Sequence, residues 1–185
     1  LRYWITEELG LDLDVVEIAG QSPSALQSTL STGNADAGSA IEPVPTLLEE
    51  NPDSDMEPFR YAGDIMPGQP GAVLQPAQSL VDENPALVQE LVSIHVRATD
   101  FIRENRERAA EMASEVIGSD VLPVEIARTA INSPASTFIS DPSEIVEKSL
   151  VYNDFHQQLG SVDADLSEDD VFDHSFYEEV AGGGS

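Results

Sequence analysis

The sequence predicts an α/β protein, with a parallel-sheet β-α-β lobe followed by a mostly helical C-terminal half. Two observations carry that class. In the first third, short β-prone runs alternate with apolar-periodic segments that open on Ser-Pro or Glu-Pro. Beyond Asn84 the periodicity becomes helical and stays so for most of the chain. Alternating strand and helix implies a parallel sheet with right-handed crossovers.

The opening segment, Leu1 to Gly10, reads as the body of a helix ending at a glycine, so further sequence is expected to precede it. Asp14 to Ala19 is the first predicted strand. Ser22-Pro23 then starts a helix, with serine as N-cap and proline at the first helical position. Ala25, Leu26, Thr29 and Leu30 give it an apolar stripe, and Gly33 ends it. Ala35 to Ile41 reads as a second strand, whose small residues let a helix or ligand approach the backbone. Glu42-Pro43-Val44-Pro45 opens another helix through Leu47 and Leu48. After polar turns from Asn51 to Pro58, Phe59 to Gly63 and Ala72 to Leu74 are two further strand predictions. The loop between them, with Pro67, Gly68, Pro70 and Gly71, suits a connection between lobes.

Asn84-Pro85 starts a long helix, with Leu87, Leu91, Ile94, Ala98 and Phe101 at helical spacing. Helices are predicted next from Glu107 to Ile117, stopped by Gly118, and from Pro123 to Ile131. Asp141-Pro142-Ser143-Glu144 is a capping signature for a fourth, running to Leu159 before Gly160. Ser167-Glu168-Asp169-Asp170 starts a last one through Phe176 and Tyr177. Gly182 to Ser185 reads as a flexible tail.

Acid outnumbers base 35 to 8, giving a formal net charge of −27 and a pI near 4.1. That excludes a generic nucleic-acid binder, because nothing neutralises a row of phosphates. It also disfavours docking on anionic lipid. With 41% hydrophobic residues the chain is not an acidic disordered tail. Lys148 is the only lysine, and arginine is the less hydrated base. Salt near 1 M shortens the reach of carboxylate repulsion to roughly 3 Å. The charge therefore reads as adaptation to high salt, with a halophilic archaeon as the expected source. A mesophilic protein with cationic partners is the alternative, disfavoured because the acid is spread rather than patched.

Cysteine is absent, which removes disulfides and thiolate chemistry. His95, His156 and His174 lie far apart without metal-ligand spacing. Asp163, Asp165, Asp169 and Asp170 lack the glycine of a calcium loop and meet His174, not Glu, at its twelfth position. No metal and no cofactor is expected. Phosphate-cradling glycine loops and nucleophile elbows are missing, and nothing marks catalytic carboxylates, so the chain is read as a non-enzyme.

From Ser22 to Pro43 the generic pattern is a helix with A-L, then G-x-A-D-A, then a short strand ending in E-P. With Gly10-Leu11 and Asp14-Val15 before it, and Asn84-Pro85-Ala86-Leu87-Val88 after it, the order of pieces resembles the nitrate/sulfonate/taurine-type solute-binding proteins of ABC transporters. Those have two α/β lobes of the periplasmic-binding-protein type, with solute held in the cleft between them.

The resemblance implies that residues 1–62 are a second-lobe α/β unit lacking its first strand. It implies that 63–181 cross back to the first lobe and add the C-terminal helices, and that most of the first lobe would precede Leu1. The implied function is extracytoplasmic capture of a small polar, oxyanion-bearing solute, delivered to a membrane permease by a monomer. The implied location is extracellular, through a lipid anchor on the preceding part. Enzymes resembling the pyrimidine-synthesising proteins of thiamine biosynthesis, and effector-sensing domains of regulators, are alternatives on the same scaffold.

Parallel sheets bind solutes at the carboxyl ends of their strands, which points to Gln21, Ser22, Ser39 and Glu42. Ser22 could present its hydroxyl to an anionic head group or act as a cap only. Glu42 could hold a ligand amine or an interlobe partner, or simply favour a helix start. Met66 and Gln69 lie where the resemblance puts the lobe crossover; as bare sequence, that stretch is a turn.

Overall fold

The computed structural model describes residues 1–183. It consists of ten α-helices with shorter helical turns among these residues: α1 Pro23–Ser31, α2 Val44–Glu49, α3 Ala62–Ile65, α4 Gln78–Glu83, α5 Pro85–Glu104, α6 Arg106–Ile117, α7 Val124–Asn132, α8 Val146–Gln158, α9 Glu168–Val171 and α10 Ser175–Gly182. A wide π-type turn at Trp4–Glu8 precedes them, and 3₁₀ turns occupy Leu13–Val15 and Pro142–Ile145.

The predicted α/β class, with its parallel sheet inside a two-lobed periplasmic-binding-protein-like fold, is corrected by this arrangement: among the described residues no strand forms. The run predicted as the first strand begins inside the 3₁₀ turn Leu13–Val15, and the one at Phe59 to Gly63 runs into α3. Residues 37–41 and 72–77 have no regular structure. Strand preference mostly reflects packing on cross-strand neighbours. Val15, Ile41, Phe59 and Val73 instead stay well exposed, so the β-branched and aromatic composition had nothing to pair with.

The chain divides into two compact units. The first comprises Leu1–Ile65 and Arg106–Thr137, the second Met66–Asn105 and Phe138–Ser185.

In the first unit, α6 and α7 form an antiparallel pair. Gly118, at φ +104°, turns the chain out of α6, a conformation that favours glycine. Ala110, Leu122 and Ala127 form the buried seam, flanked by Ala113, Ile126 and Ile131. The alanines let the backbones come close. The Ser114 hydroxyl is buried and donates to the Leu122 carbonyl at 2.7 Å, while Arg106 at the start of α6 donates to the Ile131 carbonyl near the end of α7. On the outside, Arg128 binds both Glu125 and Glu107. The hydrogen bond to Glu125, then that to Glu107, holds its guanidinium above the ordinary arginine range.

In the second unit, α5 packs on α4 and α10, and Gln89 donates to the Phe176 carbonyl at 2.9 Å. Of the predicted stripe of α5 only Leu91 is half-buried; the buried face runs along another row. Val88 and Thr99 are buried, with Val92 and Val96 half-buried, whereas Leu87, Ile94 and Phe101 are exposed. Two apolar rows run along this helix, and α-helical spacing alone does not choose between them. The predicted last helix is two pieces, interrupted from Phe172 to His174. Its first piece, α9, starts in a capping box: the Asp170 carboxylate accepts from the Ser167 hydroxyl and backbone N–H. Those bonds, the hydroxyl's first, hold Asp170 below the usual carboxylate range. Of the expected tail, Gly182 ends α10 and Gly183 caps it; 184–185 lie outside the described residues.

Candidate functional site

The site is built on α1, α2 and the chain between them, all in the first unit. Ser22 leaves the extended region to start α1, its Oγ accepting the Ala25 N–H at 3.3 Å, and Pro23 supplies a preset φ. Leu30 is buried against Val44 and Leu48 of α2, with Leu26, Ala35, Ala40 and Met56 around them. Gly33, at φ +68°, ends α1 and sends the chain back across it. At Gly38 a Cβ would come within 2.9 Å of Leu26 Cδ1 and 3.0 Å of Leu30 Cδ1. The small residues at 35–40 therefore serve a close approach of backbone to helix.

That return leaves a hollow of about 160 Å³. Its apolar walls include Pro23, Leu26, Ile41 and Val44, and its polar side chains are Gln21 and Ser39. Gln21 is anchored: its Oε1 accepts the Thr29 hydroxyl at 2.7 Å, two turns along α1. Its side-chain amide nitrogen and the Ser39 hydroxyl have no bond within the chain among the described residues. Both are donors, suited to an oxygen-bearing ligand. No charged side chain lines the hollow. The positive potential at its edge comes from the first turn of α1, which starts at Pro23.

Of the six residues singled out from sequence, the fold brings Gln21 and Ser39 to one hollow. Ser22 caps α1 beside them and also reaches the Ser24 hydroxyl at 3.4 Å. Glu42 is engaged at the start of α2, its Oε2 accepting the Thr46 hydroxyl at 2.9 Å and the Thr46 N–H at 3.3 Å. Thr46 is buried, so this carboxylate satisfies a polar group the core cannot leave alone. Met66 and Gln69 belong to the second unit. Met66 is buried, and the Gln69 N–H donates to its carbonyl at 3.2 Å across a turn containing Gly68 at φ +80°. The Gln69 side chain accepts from the Tyr152 hydroxyl.

Sequence reasoning missed Pro23, Leu26, Ala40, Ile41 and Val44 as walls, and Thr46 as partner of Glu42. The i, i+4 spacing of Glu42 and Thr46 was the available signal for the last. His156 bonds Ser161 at 2.9 Å and His174 bonds Glu168 at 2.9 Å. Among the described residues no three His, Asp or Glu side chains are grouped to hold a metal ion. No helix there is long and apolar enough to cross a membrane.

Residues 1–117 match the NMT1-like family. The chain belongs to the NMT1-like family. The match includes the whole hollow, Met66 and Gln69, and ends at the last residue of α6. Membership in the NMT1-like family fits a solute-binding role in general. No curated protein and no solved structure matches the chain significantly.

Proposed function

We propose that this NMT1-like chain is the extracytoplasmic solute-binding component of an ABC importer in a halophilic archaeon, held at the cell surface by a lipid anchor. Its solute is small, polar and oxyanion-bearing, in the nitrate, sulfonate and taurine class. Capture shifts open and closed populations and makes no covalent bond, so the chain is not an enzyme. Its partners are the solute and the membrane permease. The observation that supports this reading is the hollow beside the N-terminus of α1, where Gln21 and Ser39 present donors against apolar walls. Donors and a helix N-terminus suit an oxyanion in a molecule whose net charge of −27 otherwise repels one.

The test is a thermal-shift screen of the chain in molar salt against nitrate, alkanesulfonates and taurine. At a hundred times its dissociation constant a ligand stabilises by about 2.7 kcal/mol, a Tm rise of roughly 5–10 °C at this size. Gln21→Ala should lose most of that rise. Silence across the whole panel would sink the proposal.

A further inference from the structure

A second hollow, of about 140 Å³, lies between the opening turn and α3 with Arg60 before it, and its walls are of another kind. Trp4, Glu8, Arg60, Asp64 and Ile65 line it: one guanidinium, two carboxylates and an indole beside a single aliphatic side chain. Trp4 is half-buried and packs on Phe59, ring centroids 5.5 Å apart and planes at 54°, which holds the indole as a wall.

The charged groups of this hollow are uncommitted. Elsewhere Arg97, Arg108, Arg128 and Lys148 each lie within 4 Å of a carboxylate, at 3.8, 2.8, 2.5 and 2.5 Å. Among the described residues the side chains of Arg60, Glu8 and Asp64 form no ion pair, with each other or with anything else. Arg2 and Arg103 also form no ion pair among the described residues, so what distinguishes Arg60 is its place in one hollow with two carboxylates and an indole.

The combination of charges restricts what that ligand is. A simple anion drawn to Arg60 would face Glu8 and Asp64, and a simple cation drawn to those carboxylates would face Arg60. A molecule bearing both signs engages all three at once. We propose that this hollow binds a small zwitterion, its oxyanion on the Arg60 fork and its ammonium between Glu8, Asp64 and the face of Trp4. An engineered cavity near 150 Å³ accepts benzene, so the space suits about six to eight heavy atoms. The hollow shares no lining residue with the one formed by Gln21 and Ser39, and the inference does not depend on the transport reading.

Trp4 is the only tryptophan, so its fluorescence reports on this hollow. The experiment titrates the full chain in molar salt with β-alanine, and in parallel with propionate and propylamine, which each keep one charged end. A saturable fluorescence change is expected with β-alanine, at a dissociation constant about ten-fold or more below that of either half-ligand. Arg60→Gln, and separately the Glu8→Gln, Asp64→Asn pair, should each weaken β-alanine by about ten-fold or more while far-UV circular dichroism stays unchanged. These side chains are exposed and unpaired, so the fold should tolerate both changes. Three results would overturn the proposal: no saturable change with β-alanine, equal binding of propionate or propylamine, or a variant of either kind that folds and binds like the parent.

Discussion

The first unit contains two helix pairs, and they are packed to opposite ends. Between α6 and α7 the seam is closed: alanines bring the backbones together, Ser114 ties α6 to the Leu122 carbonyl in the connection, and Arg106 ties it to the Ile131 carbonyl of α7. Between α1 and α2 the seam is filled by Leu30, Val44 and Leu48 on one side only. The return segment occupies the other side with small residues, and the gap remains as the hollow of Gln21 and Ser39. Both pairs bury an apolar cluster, but only the looser one leaves space at its edge.

The sharpest way to break this comparison is a matched pair of leucine truncations. Leu122→Ala should cost about 2–5 kcal/mol, because it leaves an enclosed cavity in the buried α6–α7 seam. Leu26→Ala should cost less, about 1–2 kcal/mol, because that leucine already faces a hollow open to water. Equal costs in urea unfolding would mean that the two pairs are packed alike.

The converse substitution adds volume. Ala110 is fully buried, and Ala110→Leu should destabilise by about 1–3 kcal/mol through overpacking. Ala40 borders the Leu30–Val44–Leu48 cluster but also lines the hollow, so Ala40→Leu should destabilise less than Ala110→Leu yet abolish the solute-dependent rise. Loss of stability at position 40 without loss of binding would contradict the assignment of the space.

The smallest effect lies outside both pairs and serves as their control. Because the Asp170 carboxylate is held below its ordinary range, α9 gains from it at any pH above the unfolded carboxylate value. That gain is lost as pH falls through the lower folded value. Asp170→Asn should therefore flatten the acid limb of α9 fraying, read by amide exchange, while leaving the α6–α7 seam untouched.

What was legible in the sequence is what local chemistry decides. Ser22-Pro23, Gly33, Gly118 and Gly160 mark helix boundaries through hydroxyl capping, a preset φ or a left-handed turn, and none needs knowledge of a neighbour. The strands were misread because Val15-Val16 and Phe59 to Tyr61 state a preference that only a partner realises, and the fold provides none. The α5 stripe was misread for a related reason: Leu87-Ile94-Phe101 and Val88-Val92-Val96 are both valid helical rows, and tertiary packing chose the second. For the site, the Ser-Pro start and the small residues after Gly33 pointed to Gln21 and Ser39. The grouping of Arg60 with Glu8, Asp64 and Trp4 was invisible, since no sequence spacing brings residues 4, 8, 60 and 64 to one hollow.

The row passed over on α5 has a colloidal consequence. Leu87, Ile94 and Phe101 recur every seven residues on an exposed face, the spacing by which one helix adheres to another like it. At neutral pH and low ionic strength the molecules share a charge of −27, and mutual repulsion, which molar salt would screen, holds these faces apart. Near the pI of about 4.1 that repulsion vanishes, and the same helix becomes the first place where copies coagulate. The acidity thus acts as a dispersant at low ionic strength, and it protects a surface that folding left uncovered.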